Sequence, residues 1–151
     1  MKGQSGLAPF YNLDNYTKYG IIQLNRNSMK TAIFIGSSQK DIREFPEEVK
    51  EDIGYALYRI QQAATPESVK RLKGLGSGVL EVIEDFDGGA YRAVYTIKFE
   101  EAVYVLHCFQ KKSKQGSETP PRDLELIRQR LKMAEEHHKA DFGRKSEGKS
   151  K

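Results

Sequence analysis

Two periods of hydrophobic and polar residues divide most of the chain into β-strands and α-helices. Short apolar runs predict strands at 30–35, 79–85, 91–99 and 102–109. A stripe at helical spacing predicts a long helix after Pro46, with the members Val49, Ile53, Ala56, Leu57 and Ile60. A second stripe predicts a C-terminal helix, with the members Leu124, Ile127, Leu131 and Ala134.

Turn and capping residues set the limits of these elements. Ser37 or Ser38 can cap a short helix that ends near Phe45. Asp87-Gly88-Gly89 predicts a tight hairpin between the second and third strands. Residues 67–78 (ESVKRLKGLGSG) predict a flexible basic loop. They do not predict a phosphate-binding loop, because they do not follow a strand and open a helix.

The last helix has a start signal of its own. Thr119 is a favourable N-cap residue, and Pro120 or Pro121 suits the first helical turn. The complete predicted order is β-α-α-β-β-β-α. It describes an antiparallel sheet packed on helices, which places the chain in the α+β class.

Three regions follow from the same pattern. Residues 1–28 show no clear period and are expected to form a disordered or extended arm. Met29 directly precedes the first strand, and one hypothesis is that translation starts there. The predicted domain covers 29–138, and 139–151 form a flexible basic tail.

The net charge of +4 is unevenly distributed along the chain. Residues 30–138 hold 17 basic and 18 acidic residues, so the predicted domain is close to neutral. The positive excess lies in the two terminal segments. Bulk charge therefore gives little support for nucleic-acid binding, and a local group of cations would have to carry that function.

Composition excludes several classes of protein. A chain of 151 residues suits one domain with a hydrophobic core. No apolar run approaches the roughly 18 residues of a membrane span, and the N-terminus lacks the apolar centre of a signal peptide. Cys108 is the only cysteine, which excludes an internal disulfide and a multi-cysteine metal site. We expect a cytoplasmic protein without a metal, a cofactor or a membrane partner.

The predicted hairpin Tyr91–Lys114 is the most informative stretch. Alternation places Arg92 with Val94 on one face, opposite the aromatic residues of the same strand. We expect this to be the more open face. Arg92 then has two available roles, which are an ion pair with Glu81 or Glu84 and a forked contact with a phosphate.

The second strand of the hairpin ends in the lysines Lys111, Lys112 and Lys114. They form either a solvated strand end or a site for an anion. His107, within an apolar run, is interpreted as a hydrogen-bonded core residue, and Cys108 as core. The acidic region 41–52 is either a solvated helix face or a surface for a basic partner.

Six segments form an ordered set along the chain, namely GSSQKDIREFPEEV, LKGLG, YRAVYT, YVLHCFQKKSK, a Thr-Pro step and RLKMAEEH. In this order and spacing they resemble the phage-related branch of the HigB toxins, in the RelE superfamily. The resemblance covers about residues 30–138. It implies a small α+β toxin of a type II toxin–antitoxin pair, silenced by a helix-turn-helix antitoxin. Such toxins cleave mRNA on the ribosome, and they reach DNA only through the antitoxin complex.

The resemblance also implies roles for single residues in a metal-independent attack of the RNA 2′-hydroxyl on its neighbouring phosphate. Arg92 matches the arginine of the family's YR strand and would stabilise the transition-state charge. Lys111 and Lys112 match the F-x-KK element and would bind or protonate the phosphate region. Lys73 matches the basic residue of the LKG loop and would hold flanking RNA backbone. Further RNA-binding candidates are Lys70 and Lys114.

One position departs from the family pattern. Ile83 stands where many HigB-type toxins carry an arginine, so a second cation is missing and no residue is assigned as the general base. Two other functions stay open. One is a degenerate toxin that only binds its antitoxin and, through it, operator DNA. The other is a relative that poisons DNA gyrase.

Overall fold

A single β-sheet lies between helices that pack on both of its faces. The computed structural model describes residues 21–22, 29–111 and 118–143. The elements are β1 (Ile21–Ile22), β2 (Thr31–Phe34), α1 (Ser38–Arg43), α2 (Glu47–Gln61), β3 (Val69–Arg71), β4 (Val79–Phe86), β5 (Gly89–Thr96), β6 (Ala102–Lys111), α3 (Pro121–His138) and a short π-helix (Lys139–Gly143). Residues 1–20, 23–28 and 144–151, which hold most of the expected arm and tail, lie outside the described residues.

The strand order of the sheet is β1-β2-β6-β5-β4-β3. β4, β5 and β6 form consecutive antiparallel pairs, as the hairpin pattern predicted. β2 runs parallel to β6, with Thr31 opposite Ala102 and Phe34 opposite Val105. The α+β class is confirmed, but the expected purely antiparallel sheet is wrong. The direction of β2 is set by pairing with a strand distant in sequence, and no local turn reveals it.

Each face of the sheet carries a hydrophobic core, because strand side chains alternate between the faces. α1 and α2 cover one face, and the whole predicted apolar stripe of α2 is buried there. α3 covers the other face, with Ile127 and Ala134 fully buried and Leu124 and Leu131 partly buried. Double coverage explains why β6 has a nearly continuous apolar run instead of alternation.

The edge strand β3 was not predicted, since it lies within the segment 67–78 that was expected to be a loop. It pairs antiparallel with β4, so that Lys70 lies opposite Glu81. The strand has three residues, VKR, and this is too short for an apolar alternation to be visible. Charged side chains are nevertheless usual at a sheet edge, where they discourage pairing with another chain.

Strands β5 and β6 each contain an irregularity. β5 ends at Thr96, before the end of the predicted strand 91–99, and Ile97 is 42% exposed. A register shift places Val94 opposite His107 and Tyr95 opposite Val105, so β6 has one extra residue. Beyond this bulge Cys108, and not His107, joins the core under α2. Strict alternation along β6 therefore does not hold beyond Leu106.

A buried arginine ties α3 to the rest of the fold. Arg130 is 9% exposed and donates from Nη1 to the Leu106 carbonyl and from Nη2 to Ser37 Oγ, both at 2.9 Å. The turn after β2 passes directly beneath it. Gly36 has φ +60° there, and a Cβ atom would lie 2.7 Å from Arg130 Nε. Only glycine meets both requirements, the left-handed backbone and the close approach.

Gly36→Ala should lower the free energy of unfolding more than Gly74→Ala does, by about 1 to 2 kcal/mol. Both glycines have positive φ, +60° and +87°, but a Cβ atom at Gly74 meets nothing within 4 Å. The comparison therefore isolates the contact with Arg130 from the backbone strain. Urea denaturation of both variants measures the difference. Equal losses would contradict the prediction, because they would mean that Arg130 moves away at little cost.

Candidate functional site

A cleft of about 940 Å³ lies on the α3 face of the sheet, next to the first turn of α3. Strands β3, β4 and β5 and the end of β6 contribute its floor. Thr119 and Leu124 line it from the α3 side, and residues 86–89 of the hairpin turn line one end.

Four residues predicted for the site line this one cleft, and they are Lys70, Lys73, Arg92 and Lys111. Lys70 lies on β3 and Lys73 just after it, and both are exposed. Arg92 and Lys111 come from β5 and β6 and are 4% and 9% exposed. Lys112 and Lys114 lie outside the described residues. Tertiary folding therefore gathers cations that are well separated in sequence.

Arg92 is buried, so the expectation of an open face is wrong. Its direction was predicted correctly, since Val94 belongs to the core under α3 while Ala93 and Tyr95 belong to the core under α2. The face is covered, however, and the guanidinium lies in the floor of the cleft. Its Nη1 donates to Glu81 Oε1 at 3.2 Å, which is one of the two ion pairs that the sequence left open.

Glu81 is a site residue to which the sequence assigned no chemical role. It lies on β4, is 5% exposed, and stands opposite Lys70 of β3. Burial raises the pKa of Glu81 above its usual value of 4.5, and this effect exceeds the opposing attraction of Arg92. A carboxyl group with a raised pKa is a stronger base than an ordinary carboxylate, and its place in a cleft suits it to proton transfer. The available signal was its position on the neighbouring strand, two residues before Ile83, which lies directly opposite Arg92.

Residues at the start of α3 complete the wall of the cleft. Lys111 Nζ donates to the Glu118 carbonyl at 2.8 Å. Thr119 does not act as the predicted N-cap, because Pro120 occupies that position and makes no side-chain capping bond. The Thr119 side chain is buried instead, and its Oγ1 has no hydrogen-bond partner within the described part of the chain.

The charges of the cleft are nearly balanced among the described residues. Its lining holds the basic residues Lys70, Arg71, Lys73, Arg92 and Lys111 and the acidic residues Glu81, Asp85, Asp87 and Glu118. Ile83 and Ala90 add an apolar part of the floor between β4 and β5. The cleft is therefore not uniformly positive, and the location of each charge matters more than their sum.

Two residues interpreted as core are confirmed as core. His107 is 6% exposed, and its Nε2 lies 2.8 Å from Asp123 Oδ1. Cys108 is buried, and burial raises the pKa of its thiol.

The exposed acidic residues of α2 lie on the side of the sheet away from the cleft. None of the helices in the described ranges is long and apolar enough to cross a membrane.

Residues 40–132 match the family described as phage-derived protein Gp49-like (DUF891). The chain belongs to this family. The match runs from α1 into α3 and includes every residue that lines the cleft. No curated protein and no solved structure matches the chain.

The Gp49-like family consists of toxins of toxin–antitoxin systems and is related to the RelE-like toxins. Membership therefore supports the part of the sequence resemblance that concerns a phage-related toxin. It also implies an antitoxin as the partner of this Gp49-like chain.

Glu81→Gln should change how stability depends on pH. A raised pKa means that, above pH 4.5, the folded protein retains a proton that the unfolded chain has lost. The stability contributed by Glu81 is thus present below that pH and is lost as the pH rises through the folded pKa. The free energy of unfolding of the wild type should therefore fall relative to Glu81→Gln as the pH rises above 4.5.

Urea denaturation across this pH range measures the difference, and Glu48→Gln, which removes an exposed carboxyl of α2, is the control. A rise of the wild type relative to Glu81→Gln would contradict the prediction. It would mean that attraction by Arg92 outweighs the cost of burying the carboxylate.

Proposed function

We propose that this Gp49-like protein is the toxin of a type II toxin–antitoxin pair and cleaves mRNA on the ribosome without a metal ion. The proposal rests mainly on the cleft, where Arg92 and Lys111 lie close to the buried carboxyl of Glu81. Cations in a buried floor suit a phosphate group, and a carboxyl of raised pKa suits proton transfer. The silencing partner would be a helix-turn-helix antitoxin.

RNA supplies its own nucleophile for this reaction. Glu81 accepts the proton of the 2′-hydroxyl while the 2′-oxygen forms a bond to the adjacent phosphorus. The bond from phosphorus to the 5′-oxygen of the next nucleotide breaks, which leaves a 2′,3′-cyclic phosphate on one fragment. The departing 5′-oxygen takes a proton from Lys111 or from its neighbour Lys112 and becomes a hydroxyl group.

The ion pair of Glu81 and Arg92 connects proton transfer with charge stabilisation. Before the reaction the carboxylate and the guanidinium attract each other at 3.2 Å. When Glu81 takes the proton it becomes neutral and its attraction for Arg92 weakens. At the same moment negative charge develops on the phosphate oxygens, which the guanidinium then stabilises in a site of low dielectric.

The remaining lysines would hold the RNA on either side of the scissile phosphate. Lys70 and Lys73 are exposed at the rim of the cleft, where they suit flanking phosphates, and Lys114 would extend this contact. A nearly balanced cleft gives little general affinity for RNA. This agrees with a toxin that takes its substrate from the ribosome rather than from solution.

Ile83 favours a second candidate function. It lines the floor opposite Arg92, at the position where the resemblance leads us to expect a further arginine. Without that cation the cleft would stabilise less transition-state charge. The protein could then be a degenerate toxin that only binds its antitoxin and, through it, operator DNA. Primer extension on translated mRNA distinguishes the two functions, because only the first produces new 5′ ends.

Expression without an antitoxin should arrest growth, and Glu81→Gln should slow mRNA cleavage by about 10²- to 10⁴-fold because the base is lost. Arg92→Lys should also slow it, since a lysine keeps the charge but not the planar fork. Both variants retain a polar side chain in the buried pair. Arg92→Ala would instead remove the ion-pair partner of the buried Glu81 carboxyl, at a cost of about 3 to 5 kcal/mol.

Primer extension measures the new 5′ ends, and urea denaturation verifies that each variant is folded. Lys132→Gln, at an exposed position of α3, is the control and should cleave like the wild type. Undiminished cleavage by folded Glu81→Gln would exclude Glu81 as the base. Absence of new 5′ ends with the wild type would favour the degenerate toxin.

A further inference from the structure

We propose that Asp85 and Asp87, at the hairpin end of the cleft, select the base beside the scissile phosphate. They would favour a base that carries an exocyclic amino group, such as adenine or cytosine, over uracil. This inference rests on the proposed RNA cleavage and adds a specificity to the same cleft.

In one row of the cleft floor, the strand register places a negative and a positive residue on opposite sides of Ala90. Asp85 of β4 lies opposite Ala90 of β5, and Ala90 lies opposite Lys111 of β6. Neighbouring strands are about 4.8 Å apart, so the backbones at Asp85 and Lys111 are roughly 10 Å apart. A nucleotide has its phosphate at one end and its base edge at the other. With the phosphate between Arg92 and Lys111, the base extends towards β4.

The floor between these ends is apolar. Ala90 is the small residue in the row from Asp85 to Lys111, and Ile83 lies in the next row, opposite Arg92. Both residues line the cleft and are partly buried. An apolar surface accommodates the flat face of a base better than it accommodates a phosphate. Ile83 stands where the family resemblance leads us to expect an arginine. Its apolar side chain thus provides a surface for the base in place of a cation.

The carboxylates at the hairpin end of the cleft would select the base through hydrogen bonds. Asp85 and Asp87 are both exposed and line the cleft. An ionised carboxylate only accepts hydrogen bonds, so it pairs with the amino group of cytosine or adenine. Uracil presents a carbonyl oxygen in place of that amino group, and two acceptors repel each other. Asp87 has φ +50° in the turn, and this backbone angle sets the direction in which its side chain leaves the main chain.

An independent observation points to a ligand in this cleft. Thr119 lies in the wall and is 6% exposed, and its Oγ1 has no hydrogen-bond partner among the residues that the structure describes. Buried hydroxyl groups nearly always have a partner. A bound nucleotide would supply oxygen atoms as acceptors at this position.

The experiment titrates the ¹⁵N-labelled full chain with dinucleotides whose first sugar lacks the 2′-hydroxyl, so that they bind but are not cleaved. The first base is adenine, cytosine or uracil. Adenine and cytosine should bind about fivefold more tightly than uracil, the lower end of the discrimination from one good base contact. Amide shifts should include residues 85–90.

Asp85→Asn and Asp87→Asn should each reduce this preference, because an amide both donates and accepts hydrogen bonds. Asparagine tolerates positive φ as well as aspartate does, so the turn at position 87 is kept. Glu48→Gln removes the same charge from α2 on the other side of the sheet and should leave the preference unchanged.

Equal affinity for the three dinucleotides would overturn the selection while leaving the proposed cleavage intact. Uniformly tighter binding by both aspartate variants would also overturn it, since the carboxylates would then only repel phosphate. Mapping of cuts on translated mRNA separates the two proposals. Cuts without base preference would remove the specificity alone, and no cuts with the wild type would remove the cleavage.

Discussion

The buried ion pair between Arg92 and Glu81 determines what the cleft can do. Both side chains come from the middle of the sheet and are about one-twentieth exposed, at 4% and 5%. Removing water from two charges is costly, and their mutual attraction offsets that cost only when they remain together. The pair therefore keeps a guanidinium and a carboxyl group side by side in the floor of the cleft. Burial raises the pKa of that carboxyl, which makes it the stronger base.

The location of charge in this Gp49-like toxin matters more than its amount. The domain is close to neutral, and even the cleft lining has almost as many acidic as basic residues. Yet the strand register gives each charge a fixed place, with Asp85 of β4 and Lys111 of β6 on opposite sides of Ala90. A nearly balanced set of charges gives little attraction for an anion at a distance.

The architecture around the cleft explains why these groups are buried. α3 covers one face of the sheet and is held by Arg130, which binds both β6 and the turn before α1. The first turn of α3 and the residues just before it bring Leu124 and Thr119 to the edge of the cleft. The edge strand β3 adds Lys70 from the opposite side. The site thus depends on three segments that meet only in the folded chain.

The sequence by itself determined the α+β class, the two amphipathic helices, the β4–β5–β6 hairpins and the side of the strand from which Arg92 projects. These features follow from local periodicity and turn chemistry, which act over a few residues. It also indicated Lys70, Lys73, Arg92 and Lys111 as a set, through resemblance to a toxin family.

Only the tertiary structure decided that β2 runs parallel to β6, that Arg92 is buried, and that Glu81 is its partner. Each depends on which strands become neighbours and on what covers the sheet, and these are contacts between residues far apart in sequence. The bulge in β6 has the same origin, since a register shift between strands leaves no local mark on the pattern. The sequence therefore placed Arg92 on the right strand, and long-range packing brought it into one cleft with Lys70, Lys73 and Lys111.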